Sequence, residues 1–168
     1  MEELVFRQAT IADVAGIMPI IIYARNKMLA DGKKQWTHDY PAQGDIESDI
    51  GGGHGYVLCA EGTIVAYGAI FNGEPVYDHL LGKWLGNRPY VVLHRLAVAA
   101  DARRHGVATL FMKHVEQLAR QRGITSFRID TNHDNDAMLH ILDKQGFTYC
   151  GNVSYPPDKV RMAFEKLL

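Results

Sequence analysis

Leu96-Ala97-Val98-Ala99-Ala100-Asp101-Ala102-Arg103-Arg104-His105-Gly106-Val107-Ala108 is the stretch whose reading decides the fold. Upstream of it, Tyr90 to Val98 is the most strand-like run in the chain, dense in β-branched and aliphatic residues. Downstream, Val107, Leu110, Phe111, Val115 and Leu118 share one helical face, Arg120 and Arg122 occupy the last turn, and Gly123 ends it. A strand thus runs through a basic, small-residue loop into a helix that opens at about Gly106. Such a loop turns successive backbone N–H groups toward one point, where the helix amino terminus adds partial positive charge. Gly106 and Ala108 let an anion approach the backbone, and Arg103 and Arg104 add formal charge. That chemistry suits a phosphate or pyrophosphate. The segment has no GxxxxGK[ST] and only one glycine in the turn, so neither the Walker nor the Rossmann fingerprint fits. Spacing alone is equally compatible with a basic turn and a helix cap.

Working outward, Leu4 to Gln8 reads as a first strand, and Thr10 to Asp13 as the start of a helix with a capping-type pair. Val14, Ile17, Met18, Ile21 and Met28 recur at helical spacing until Asp31-Gly32, with Pro19 inside the run predicting a kink or a split. Asp45 to Ile50 predicts a second short helix, closed by three glycines. Tyr56 to Ala60 and Ile64 to Phe71, separated by Glu61-Gly62-Thr63, form a hairpin signal. After the central segment come a strand over Phe127 to Asn132 and a helix over Asn135 to Lys144, stopped at Gly146. Tyr149 to Tyr155 and Val160 to Phe164 close the chain as an antiparallel pair around Pro156-Pro157. The order β, α, α, β-hairpin, β, α, β, α, β, β predicts an α/β (α+β) protein with a mixed sheet.

The chain has 168 residues, 18 basic and 19 acidic, for a net charge of −1. One domain over 1–168 is the expectation at this length, with no repeat, linker or low-complexity tract to divide it. A hydrophobic fraction of 47% can supply a full core and excludes a disordered chain. Near-neutral charge argues against a nucleic-acid or membrane-surface partner, and no run approaches the length of a membrane span. Cys59 and Cys150 form neither a disulfide framework nor a CxxC site and read as buried thiols. Met1-Glu2-Glu3 is acidic where a signal peptide needs positive charge, so a reducing cytoplasm is the expected location. The histidines and acids show no HxxxH, HExxH or Cys/His spacing, and no metal is expected.

The central segment closely resembles the acyl-CoA signature of the GCN5-related N-acetyltransferase (GNAT) family: a Leu-x-Val strand followed by Arg/Gln-x-x-Gly-x-Gly/Ala. Leu96, Val98, Arg103, Gly106 and Ala108 fill those places in register, and Ala100 stands where the family usually has proline. Asn135 opening the next helix and Gly146-Phe147 after it match a second family feature, so the resemblance covers nearly the whole chain. It implies a mostly antiparallel central sheet with splayed central strands and about four helices. It further implies acetyl-CoA as cosubstrate, with the backbone of Leu96, Ala97 and Val98 pairing with the pantetheine amides. The N–H groups of Arg104, His105, Gly106, Val107 and Ala108 would hold the pyrophosphate, Arg103 would clamp it, and Asn135 would bond the pantetheine arm. The Val98 N–H would face the thioester carbonyl as an oxyanion donor. The implied reaction is direct acetyl transfer to a primary amine, on a small molecule or a peptide, in a ternary complex. Where the family usually places a proton-donating tyrosine, this chain has Leu142, so Tyr149, Tyr155 or a water becomes the candidate acid. His94, two residues upstream of Leu96, is the candidate base.

For the acceptor, Trp36, Asp39 and Tyr40 combine aromatic rings with a carboxylate, a set suited to a cationic amine. A packed turn explains the same residues equally well. The long connection Asn72 to Pro89 reads either as a lid or as a short helix around Leu80-Leu81 and Trp84-Leu85. The leading reading is an N-acetyltransferase. A non-catalytic acyl-CoA sensor and an ATP-binding domain are its rivals, and a homodimer is left open.

Overall fold

The computed structural model describes residues 4–168, apart from the side chains of residues 103–105. The acidic Met1-Glu2-Glu3 terminus therefore lies outside the described residues. Strands β1 (Leu4–Gln8), β2 (Gly55–Ala60), β3 (Thr63–Phe71), β4 (Leu81–Gly82), β5 (Val91–Val98), β6 (Ser126–Thr131), β7 (Thr148–Tyr155) and β8 (Lys159–Leu167) form a sheet ordered β1-β2-β3-β5-β6-β8-β7-β4. The helices among the described residues are α1 (Val14–Ala30), α2 (Gln43–Gly51), α3 (Val107–Gln121) and α4 (Asp136–Lys144), with three short 3-10 turns. Pairs β1–β2, β2–β3, β6–β8, β7–β8 and β4–β7 are antiparallel, and β5–β6 is parallel at Val91↔Phe127 and Val92↔Arg128. This is the mixed sheet that the element order predicts, and it is mostly antiparallel, as the resemblance implies.

Two compact units share the chain, and each takes separated segments of it. The first comprises Met1–Ile70 and His94–His114. Its core joins Ile17, Ile20, Ile21 and Ala24 of α1 to Ile46 of α2, Val57 and Cys59 of β2, Tyr67 of β3 and Ala97 of β5. The α1 positions recur every three or four residues, which is why that face is buried. The Thr10 N–H donates to Asp13 Oδ2 at 2.7 Å, fixing the chain just ahead of α1. Pro19 does not divide α1. It lies on the exposed face, as does Ala15, whose carbonyl loses its intrahelical donor and can turn to water. At the β2–β3 turn Glu61 and Gly62 both have positive φ, the two-residue geometry that suits the twist of a hairpin.

The second unit comprises Phe71–Leu93 and Val115–Leu168. Tyr77, Val92, Val153 and Ala163 are buried together, with Trp84, Tyr90 and Tyr155 packed around them. Glu165 is 0% exposed and accepts from Ser126 Oγ at 2.5 Å, the Leu85 N–H at 2.6 Å and Arg128 Nε at 3.0 Å. The Arg128 guanidinium lies over the rings of Trp84, 4.0 Å from the centroid, and of Tyr90, 4.2 Å from it. These bonds correct two expectations. The helix around residues 80–85 is absent: a 3-10 turn at Pro75–His79 leads to β4, and Trp84 Nε1 donates to the Tyr77 carbonyl at 3.0 Å. β8 also runs on past Phe164, because Glu165 is neutralised in the interior and does not end the strand.

Candidate functional site

In the first unit, β5 leads through a 3-10 turn at Ala100–His105 to Gly106 and then α3. The Ala99 N–H donates to the Val65 carbonyl of β3 at 2.8 Å, anchoring the strand end from which the turn departs. Gly106 has φ +68°, a left-handed conformation that glycine adopts without steric cost. A Cβ built there would meet nothing within 4 Å, so space is open over the backbone at this point. The Leu110 N–H reaches the Gly106 carbonyl at 3.0 Å, so the helical ladder starts at Gly106. The N–H groups of Val107, Ala108 and Thr109 therefore precede the ladder, as first-turn donors do. Backbone donors, a left-handed glycine and the helix amino terminus thus coincide where the sequence places an anion. The side chains of Arg103, Arg104 and His105 lie outside the described residues.

Within β5, Arg95 has φ +56°, a backbone state uncommon for a residue with a side chain. The deformation is held by a bidentate pair: Arg95 Nε donates to Asp49 Oδ2 at 2.8 Å and Nη2 to Asp49 Oδ1 at 2.5 Å. Arg95 Nη1 also donates to the Tyr40 hydroxyl at 3.0 Å, and the Tyr67 hydroxyl donates to Asp49 Oδ2 at 2.7 Å. Asp49 is only 4% exposed. Burial, then the Asp49 charge and hydrogen bond, push the Tyr67 hydroxyl far above the ordinary phenol range. α2 and β5 are thereby locked immediately before Leu96, Ala97 and Val98. Leu96 and Val98 are half-buried and Ala97 is buried in the core.

The sequence matches the acetyltransferase (GNAT) family over residues 23–147. A GNAT acetyltransferase from Streptococcus agalactiae 2603 is 35% identical, with 98% of this chain and 95% of that one covered and a TM-score of 0.89. The chain belongs to the GNAT acetyltransferase family. A GNAT acetyltransferase from Listeria monocytogenes 4b F2365 shares the fold at 19% identity and a TM-score of 0.78, covering 98% of this chain and 95% of that one. The ribosomal-protein-S18-alanine N-acetyltransferase from Escherichia coli shares it at 16% identity and a TM-score of 0.68, covering 98% and 94%. A search of curated proteins found no match.

The remaining candidates in this GNAT chain fall into place unevenly. His94 is half-buried on β5, beside Arg95. Trp36 is 4% exposed and packs in the core with Ile17, Ile21 and Ile46, the arrangement that the packed-turn reading expects. Asp39 is exposed, with its N–H on Thr37 Oγ1 at 3.3 Å, and Tyr40 is taken up by Arg95. Asn135 caps α4, its Oδ1 accepting from the Met138 N–H at 3.2 Å. Leu142 is 0% exposed on the buried face of α4. Tyr149 is exposed and donates to Asn152 Oδ1 at 2.7 Å. The Tyr155 hydroxyl donates to Asp130 Oδ2 at 2.7 Å. Burial and then the Asp130 charge raise its pKa far above the ordinary value, which makes it a reluctant acid.

Asp49, Arg95 and Tyr67 were absent from the sequence-based candidates. A signal existed: Asp49 interrupts the apolar face set by Ile46 and Ile50, and Arg95, next to His94, is the one formal charge in the strand Val91–Val98. Two opposite charges at positions that should be buried imply each other as partners. Among the described residues, no group of three or more His, Cys, Asp or Glu could hold a metal ion. No helix among them is long and apolar enough to cross a membrane.

Proposed function

We propose that this GNAT acetyltransferase transfers an acetyl group from acetyl-CoA to a primary amine by direct attack in a ternary complex. The observation that supports it best is the left-handed Gly106 under open space at the start of α3, where the family signature calls for pyrophosphate contact. The N–H groups of Arg104 to Ala108 hold the pyrophosphate in this proposal, with Arg103 as the charged clamp. The main chain of Leu96 to Val98 pairs with the pantetheine amides. This lies past the point where β5 pairs with β6, at Val91 and Val92. The Val98 N–H stabilises the oxyanion, worth about 3–4 kcal/mol for one such donor in other acyl-transfer enzymes.

An amine attacks only in its neutral form, and His94 receives the proton, directly or through water. The departing thiolate needs modest help, because a thiol of pKa about 8.5 is already a fair leaving group. That matters here, since Leu142 is buried, Tyr155 bonds a carboxylate and Tyr149 faces solvent. The fully buried Leu142 also favours a second reading, an acyl-CoA sensor without turnover. Thiol release from acetyl-CoA with a panel of amines separates the two: amine-stimulated release supports the enzyme, and binding without release supports the sensor. The free, buried Cys59 and Cys150 suit a reducing cytoplasm.

Gly106 supplies the test of the donor site. Asn tolerates a left-handed backbone, whereas Glu adds both strain of about 1 kcal/mol and a carboxylate. Gly106→Asn is expected to keep CoA affinity within a few-fold, and Gly106→Glu to lose it by about 100-fold or more. A folded Gly106→Glu variant with unchanged CoA affinity would remove the phosphate-site assignment.

A further inference from the structure

Helix α1, in the first unit, is apolar on both faces. Its eleven residues Val14–Ala24 carry no charge, and Tyr23 alone among them has a polar group on its side chain. Val14, Ile17, Ile20, Ile21 and Ala24 are buried, while Ala15, Pro19, Ile22 and Tyr23 face outward, with Ile22 40% and Tyr23 39% exposed. A helix that is apolar all round is ordinarily covered all round. At the amino end of the outward face, Ile11, Ala12, Ala15 and Met18 meet Gln43 and Glu47 of α2 around an open groove of about 370 Å³. The groove also holds a polar want. Pro19 has no N–H, so the carbonyl of Ala15, a lining residue, lacks its donor from the next turn.

The donor that this carbonyl lacks lies on the same helix. Ala15 and Tyr23 each stand four residues from Pro19, one on either side. A two-fold axis exchanges such positions, so that each copy offers the other what it needs. We infer that a second copy of this chain covers the face, with the two α1 helices packed antiparallel about an axis at Pro19. Each Tyr23 ring enters the partner's groove, and its hydroxyl donates to the partner's Ala15 carbonyl. Alanine at positions 12 and 15 leaves room for helix axes about 8 Å apart, at the close end of ordinary packing. The charges agree. Asp13 is bound to Arg7 and Lys27 to Asp31. Glu47 at the groove and Arg25 past the other end of the apolar run have no ion pair among the described residues. Antiparallel packing carries Arg25 toward the partner's Glu47, whereas parallel packing would set like charges and like helix dipoles side by side. The acidic rim also disfavours an anionic lipid surface as the occupant. This interface stands independently of the acetyl transfer proposed above.

Sedimentation velocity of the full chain over about 1–100 μM tests the interface. The native protein is expected to reach twice its 18.8 kDa within that range. Ile22→Glu sets a carboxylate on the face of each copy and should leave a monomer at every concentration. Ile22 is exposed in the single chain, so a thermal melt of this variant should show it folded. Tyr23→Phe keeps the ring and removes two hydroxyl bonds from each dimer, which should weaken the dimer Kd about 10- to 100-fold. A native protein that stays monomeric overturns the inference, and its co-sedimentation with phosphatidylserine vesicles would give the face to lipid instead. A dimer that Ile22→Glu leaves intact overturns it as well, by placing the contact elsewhere. A dimer lost in Ile22→Glu but equally tight in Tyr23→Phe overturns the axis at Pro19.

Discussion

Replacing Asp49 with Asn probes how the deformation of β5 is held. The native carboxylate, 4% exposed, accepts from Arg95 Nε, Arg95 Nη2 and the Tyr67 hydroxyl at 2.8, 2.5 and 2.7 Å. Asparagine offers one oxygen and sets its amide donors against a guanidinium, leaving a mostly buried positive charge without its counter-ion. Removing one partner of a buried pair costs about 3–5 kcal/mol. The Arg95 side chain retains 16% exposure, so water recovers part of the loss and about 3 kcal/mol is the expected value. At about 2–4 °C per kcal/mol for a chain of this size, Tm should fall by roughly 6–12 °C. CoA affinity should fall as well, because Arg95 directly precedes the main chain proposed to bind pantetheine. Differential scanning calorimetry of Asp49→Ala, Arg95→Ala and the double variant gives the coupling as a cycle. Single variants within 2 °C of the native Tm, with additive effects in the double, would refute the idea that the pair secures the left-handed backbone at Arg95.

Glu165→Gln should lower stability by about 3 kcal/mol or more, since it uncovers Arg128 and Ser126 in a site with 0% exposure; chemical denaturation measures it. His94→Ala should depress kcat by about 100-fold or more, as loss of a general base does, whereas an unchanged kcat would dismiss His94 as the base. His114 stacks on Phe6 with centroids 4.9 Å apart, and burial lowers its pKa below the ordinary value of about 6.5. The unfolded chain therefore binds this proton more readily, and stability is lost as pH falls from about 6.5 through the depressed folded value. His114→Phe should flatten that slope between pH 7 and 5 in urea titrations.

Local chemistry accounts for most of what the amino-acid order revealed. Gly106 could be placed at the start of a helix because a short-range rule governs it: a left-handed turn beneath donor N–H groups favours glycine. The same holds for the Glu61-Gly62 hairpin turn, for Asn135 as a cap and for the spacing of Val14, Ile17 and Ile21. The order of strands and helices followed from these signals, and the family followed from the order and the Leu96–Ala108 register. Charges in the interior could not be read this way. Asp49 and Arg95 are 46 residues apart, and the hydrogen-bonded Tyr77 and Asp130 are 53 residues apart. Each looks costly to bury until folding supplies its partner. Trp36 and Tyr40 were ambiguous for the same reason, because an aromatic ring near a carboxylate serves a core or a ligand equally well. Only the tertiary structure decided between them, since the free energy of a buried polar group depends on what meets it across the fold and not on its neighbours in the chain.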